Sequence, residues 1–188
     1  LVASINDNKI TFLRNNGDRT FTRITVANDA SGVRALTAAD LDNDGDLDIA
    51  ASSGPNTTVS WYKNDGDDNF SYQEISNATT NTFFVTTADV NADGNMDILA
   101  ANQLGVTWYE NKADNTFALH TISIPYFSGR SLAAADLDLD GDLDFVSIGN
   151  ATEEAADVYW HENNGEQTFE THELAHNTDG AYNLKLGD

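Results

Sequence analysis

The chain contains no cysteine, one methionine and only two prolines. Without cysteine there are no disulfides and no thiolate metal sites, which leaves core packing, hydrogen bonding or hard-ion binding to hold the fold. Basic residues are scarce too: nine Lys and Arg stand against 31 Asp and Glu, a formal charge of −22. Such a chain would repel nucleic acid and anionic membranes and attract cations. No apolar run approaches the ~18 residues that span a bilayer, so membrane insertion is not expected. The opening LVASINDNKI also lacks the basic start and apolar stretch of a signal peptide. Asn, Asp, Thr, Ser and Gly are plentiful, a composition of short strands joined by many turns.

An acidic nonapeptide recurs: DLDNDGDLD at 40–48, DVNADGNMD at 89–97 and DLDLDGDLD at 136–144, with a fourth copy beginning at Asp188. The first acids are 49, 47 and 52 residues apart, so the unit is close to fifty residues. Two further landmarks keep step with it, an aromatic at Phe12, Trp61, Trp108 and Trp160 and a phenylalanine at Phe21, Phe70, Phe117 and Phe169. The aromatic precedes its Phe by nine residues, and that Phe precedes the next first Asp by nineteen, in all four units. Length varies only between each loop's last Asp and the next aromatic.

Between landmarks, DIAASS, TVSWYKN, NFSYQEI and FFVTTAD are short runs rich in β-branched and aromatic residues with no helical period. NNGD at 15–18, NDGD at 64–67 and NNGE at 163–166 supply tight hairpin turns, whereas NKAD at 111–114 has Ala for Gly and should turn differently. Four antiparallel strands per unit, here called A to D with A just before the acidic loop, are the mark of a β-propeller blade. The expected fold is therefore all-β, a β-propeller of four-stranded antiparallel blades in one region, 1–188, with repeat units 1–48, 49–97, 98–144 and 145–188. A β-solenoid is the competing fold, but its rungs are usually shorter. LVAS at the start matches a strand B, and Asp188 ends a strand A. Two arrangements stay open: the last strand A completes the first blade and closes a ring, or four units belong to a longer array.

The acidic loop offers oxygens at positions 1, 3, 5 and 9, a glycine at 6 for the sharp reversal and a backbone carbonyl at 7. Those are ligands for Ca²⁺, and the expected set is Asp40, Asp42, Asp44, Asp46 and Asp48; Asp89, Asn91, Asp93, Asn95 and Asp97; and Asp136, Asp138, Asp140, Asp142 and Asp144. A divalent ion would neutralise a cluster that otherwise repels itself. An EF-hand would need Glu at position 12 and a following helix, but Ala51, Ala100 and Ser147 stand there. Mg²⁺, which prefers small octahedral sites with several waters, ranks second. With Asn at 91 and 95, the second of about three sites is expected to bind most weakly. Reliance on several such sites suits an extracellular or cell-surface medium.

The pattern AADLDNDGDLDIAAS…WYKNDGDDNF resembles the FG-GAP/VCBS-type repeat, the blade unit of integrin α-subunit propellers and of many secreted bacterial proteins. The likeness covers essentially the whole chain. It is nearer the bacterial VCBS-like branch, since the literal FG and GAP tripeptides are missing. The resemblance implies calcium bound between strands A and B, at 40–48, 89–97 and 136–144, and a propeller of usually about seven blades.

In such blades the A–B and C–D connections share one face and the B–C and D–A connections the other. All length variation falls in B–C, so ligand binding is expected opposite the acidic loops. Six residues before each first Asp stand Arg34, Phe83, Arg130 and Tyr182. This ring would bind an acidic or neutral glycan by bidentate contacts and stacking; the plainer alternative pairs each Arg with an Asp and packs the rings between blades. His120, His161 and His172 occupy outer-strand or packing positions, and no nucleophile motif is present. Three functions remain open. The first is a non-catalytic, calcium-stabilised propeller binding a glycan or an extracellular protein. The second is the propeller region of a secreted polysaccharide-active enzyme, with Tyr126, Arg130, His176 and Tyr182 as its nearest catalytic cluster. The third is a self-associating surface or filament protein.

Overall fold

The computed structural model describes residues 2–4, 8–53, 58–76, 81–123, 128–150, 156–178, 181 and 183–186. Tyr126, Tyr182 and Asp188 lie outside them. Among the described residues there are fifteen strands and no helix. β1 (Val2–Ser4), β2 (Lys9–Asn15) and β3 (Phe21–Ala27) form a three-stranded sheet, blade 1. Blade 2 is β4 (Val33–Ala39), β5 (Asp48–Ser53), β6 (Val59–Asn64) and β7 (Phe70–Ser76). Blade 3 is β8 (Thr82–Ala88), β9 (Asp97–Asn102), β10 (Gly105–Asn111) and β11 (Phe117–Ser123). Blade 4 is β12 (Ser128–Ala135), β13 (Asp144–Asn150), β14 (Ala156–Asn163) and β15 (Phe169–Thr178). Every pairing is antiparallel between sequence neighbours, the meander of a β-propeller.

Strand position within a blade explains strand composition. β5 and β9 are buried along their whole length, because both faces of a central strand meet neighbouring blades. The outermost β7 is largely exposed and carries polar residues. The inner strands β4, β8 and β12 pack against one another in order. Small side chains allow this: Thr37 and Thr87 hydroxyls meet at 3.3 Å, linking β4 to β8. On β12, a Cβ at Gly129 would lie 2.9 Å from the Cβ of Ala101, so only glycine permits the approach to blade 3.

The sequence landmarks become the joints between blades. Phe12 meets Phe70 edge-on (6.4 Å between centroids), Trp61 meets Phe117 (6.1 Å) and Trp108 meets Phe169 (6.2 Å). In each case the aromatic of one unit holds the phenylalanine of the next. Phe21, the phenylalanine of the first repeat, is 61% exposed.

Turn 111–114 differs as its sequence implies. Gly17, Gly66 and Gly165 adopt positive φ and donate their N–H to Asn15, Asn64 and Asn163 Oδ1. Ala113 does not adopt positive φ, and Oδ1 of Asn111 stays buried without a hydrogen-bond partner. The described residues do not close a ring. Residues 183–186 form no strand, and Leu184 N donates to Ser131 Oγ of β12 (3.2 Å).

Candidate metal centres and the opposite face

Each acidic loop joins the two inner strands of its blade, and its first residue builds it. Asp40 accepts hydrogen bonds from Asp44 N (3.1 Å) and Gly45 N (2.9 Å). Asp89 does the same with Asp93 N and Gly94 N (both 3.0 Å), and Asp136 accepts from Gly141 N (3.1 Å). Position 5 caps the turn, with Asp44, Asp93 and Asp140 each accepting from the N–H two residues on. The position-6 glycines take φ of 94°, 89° and 102°, values that other residues adopt only with strain.

The position-9 carboxylates carry a second role. Asp48, Asp97 and Asp144 are buried at the base of the loop. One oxygen of each accepts from position 2 of its loop (3.1 Å in all three), and the other accepts from Asn64, Asn111 or Asn163 N at 2.7–2.8 Å. Each thus ties the A–B loop to the C–D hairpin on the same face. Asp97 also accepts from the Trp108 indole (2.9 Å). Burial pushes its carboxyl up to about 6, against the pull of the three donors; burial likewise raises Asp48. The asparagines continue the network between blades: Asn111 Nδ2 donates to Leu41 O and Asn163 Nδ2 to Val90 O, each in the loop of the preceding blade.

The donor set suits a hard divalent cation. Asp40, Asp42 and Asp48, and again Asp136, Asp138 and Asp140, can each bring one oxygen within 4.8 Å of the others. Ligands at 2.3–2.6 Å around one calcium ion stand at most about 5 Å apart. Asp42 Oδ1 and Asp136 Oδ1 are buried with no hydrogen-bond partner, and a buried carboxylate oxygen without a donor calls for a cation. In the second loop Asn91 turns its amide N–H to Asp93 (3.2 Å) and to Glu110 (3.2 Å).

Two neighbours of these loops were not legible in the sequence. Lys63 of β6 pairs with Asp42 and stands 3.7 Å from Asp44. Glu110 is at the equivalent place in β10, where it is bonded to Lys112 and to His120 (2.8 Å). Both are two residues after their blade's tryptophan, as is Glu162, which His172 meets at 2.7 Å.

The histidines have structural partners. His120 stacks on Trp108 (4.3 Å) and His172 lies tilted over Trp160 (4.9 Å). His161 is fully buried between Ser147 Oγ (2.8 Å) and Thr171 Oγ1 (3.0 Å), where burial pushes its pKa down to about 3. His176 pairs with Asp157 of its own sheet (2.8 Å).

On the opposite face, three members of the predicted ring meet. The guanidinium of Arg34 lies 4.7 Å from the Phe83 ring centroid and that of Arg130 lies 4.8 Å from it. Each of the three is the extra residue of a β-bulge at the start of its inner strand, between Val33 and Ala35, Thr82 and Phe84, and Gly129 and Ser131. A bulge leaves its residue out of the ladder and re-aims the side chain, which is why three strands 47–49 residues apart converge on one cluster. On this face, too, a cavity of about 340 Å³ opens beside the β3–β4 and β5–β6 connections, lined by Asp29, Ser31, Ser53, Thr58, Tyr62 and Tyr72.

Comparison with known proteins agrees with this geometry. Among solved structures, a lectin of Agrocybe aegerita, described for its specific recognition of non-reducing terminal N-acetylglucosamine, matches with a TM-score of 0.58 and 20% identity. The match covers 92% of this chain and 47% of the lectin, so the chain spans about half that protein's length and shares its fold. No curated protein matches the sequence. Residues 1–51, 40–100 and 89–147 each match the FG-GAP-like repeat, and with its three acidic loops, its meander blades and its repeated aromatic joints the chain belongs to the FG-GAP-like repeat family.

Proposed function

We propose that this protein is a non-catalytic, calcium-stabilised extracellular propeller that binds an acidic or neutral glycan on the face opposite its acidic loops. The observation that carries the reading is the Arg34–Phe83–Arg130 cluster. On a chain of net charge −22, two of nine basic residues converge on one aromatic ring at the inner end of the blades. The ring holds the two guanidiniums together, and a guanidinium is the side chain whose planar fork matches a carboxylate or sulfate. The neighbouring cavity offers hydroxyls, one carboxylate and two tyrosines, the mixture of apolar walls and directed polar groups that small ligands need. The fold shared with a glycan-recognising lectin is in keeping with this role.

Calcium belongs to the scaffold in this reading. The ion would supply positive charge between carboxylates that otherwise repel, and Asp40, Asp42 and Asp48, or Asp136, Asp138 and Asp140, would hold it. An affinity typical of extracellular modules, about 10⁻⁴ to 10⁻³ M, would suit a medium where calcium is millimolar.

A broad glycan array probed in millimolar calcium, then with chelator, is the test. Binding to uronate-, sulfate- or sialate-bearing glycans is expected, and Arg34→Ala with Arg130→Ala should weaken it at least about ten-fold. Binding that the double variant leaves unchanged would remove the cluster from the site.

A further inference from the structure

Strand β6 brings a cation to the first acidic loop. We infer that the Lys63 ammonium is an internal counter-ion that competes with the divalent ion, so that the first loop binds calcium more weakly than the third despite an equal number of aspartates. This rests on the calcium reading above.

By composition alone the first and third loops are equivalent, each with five Asp. Their surroundings are not. Lys63 Nζ pairs with one oxygen of Asp42, whose side chain is only 2% exposed, and it also stands near Asp44. The other oxygen, Asp42 Oδ1, is buried without a hydrogen-bond partner, within the trio of carboxylates that can share an ion. That oxygen is the second, independent sign that a cation belongs here, because a hydrogen-bonding role would have given it a donor. The corresponding residues, Glu110 and Glu162, carry the opposite charge. Charge at this one position, two residues after each blade tryptophan, therefore sets how much of the loop's negative field is left for an ion. At the first loop the ammonium has to leave, or share Asp42 and Asp44, when calcium arrives. At the second loop Glu110 meets Asn91 but is itself paired with Lys112 and His120, so it adds little to the field there.

The test is calcium titration calorimetry on the whole chain, stripped of metal, for the wild type, Lys63→Met and Glu162→Lys. Lys63→Met keeps the aliphatic stem and removes the charge. It should tighten one site by about ten-fold without changing the number of sites. Glu162→Lys should weaken one site by a similar factor. Thermal melts provide a second readout: Lys63→Met should melt below the wild type in chelator and level with it in saturating calcium. If the wild type binds calcium and both variants give its isotherm, the inference is overturned while the calcium reading stands. If no form binds calcium, the calcium reading itself falls, and this inference falls with it.

Discussion

At the scale of single residues, His161 shows how one repeated position accepts different chemistry. Blades 2 and 3 place Tyr62 and Tyr109 there, and blade 4 places an imidazole bonded on both nitrogens. Its pKa is depressed to about 3 by burial, whereas an unfolded histidine titrates near 6.5. Below pH 6.5 the unfolded chain therefore takes up a proton that the native state refuses. Its contribution to stability is whole above that pH and falls by roughly 1.4 kcal/mol per unit as pH drops towards 3. His161→Gln keeps a hydrogen-bonding side chain and should flatten this part of the stability profile. Denaturant melts of both forms between pH 7 and 4.5 measure it, and parallel profiles would mean that His161 protonates without cost. The position-9 aspartates teach a related lesson. Their spacing advertises a metal ligand, but their partners make them hinges of the hairpin face as well. That second role was illegible because the donors, Asn64, Asn111 and Asn163, stand fourteen to nineteen residues away.

At the scale of elements, the strand is less informative than the joint. Strands, hairpin turns and the deviant turn at 111–114 were readable because β-propensity and turn chemistry are local. The constant nine-residue step from aromatic to Phe was visible too, but its meaning was not. It places Phe117 and Phe169 at the start of a blade's outer strand, where each meets the tryptophan of the preceding blade. Phe169→Ala should therefore destabilise the chain by about 2–4 kcal/mol, since the ring contacts both Trp108 and Phe145. Phe21→Ala, at the same repeat position but exposed, should cost under about 0.5 kcal/mol. Equal losses in urea unfolding would show that the blade joint is not where the stability resides.

At the scale of the whole molecule, net charge dominates. With −22 on 188 residues, compaction works against self-repulsion unless ions are bound. A divalent ion at ten times its dissociation constant stabilises the native state by about 1.4 kcal/mol per site. Melting temperature should rise by several degrees from chelator to millimolar calcium, and magnesium at the same concentration should give a smaller rise. Superimposable melts in all three conditions would dismiss calcium as a stabiliser. The linear order of blades adds that this gain is spread along the array, because the first two acidic loops are each bonded to the hairpin of their own blade and to that of the next.

The amino-acid sequence by itself determined the period, the strands, the turns and the acidic loops, because each rests on residues within a few positions of one another. Only the tertiary structure decided which side chains of different strands and blades meet. The sequence placed Arg34, Phe83 and Arg130 at one repeat position, but it took three bulges and the side-by-side packing of the inner strands to bring them within 4.8 Å of a common ring. Lys63 lies 21 residues from Asp42, and its ammonium reaches the loop only because β6 runs back past it. Local patterns repeat with the chain, whereas charge and stacking act through space, so the scaffold could be read from spacing and its tuning could not.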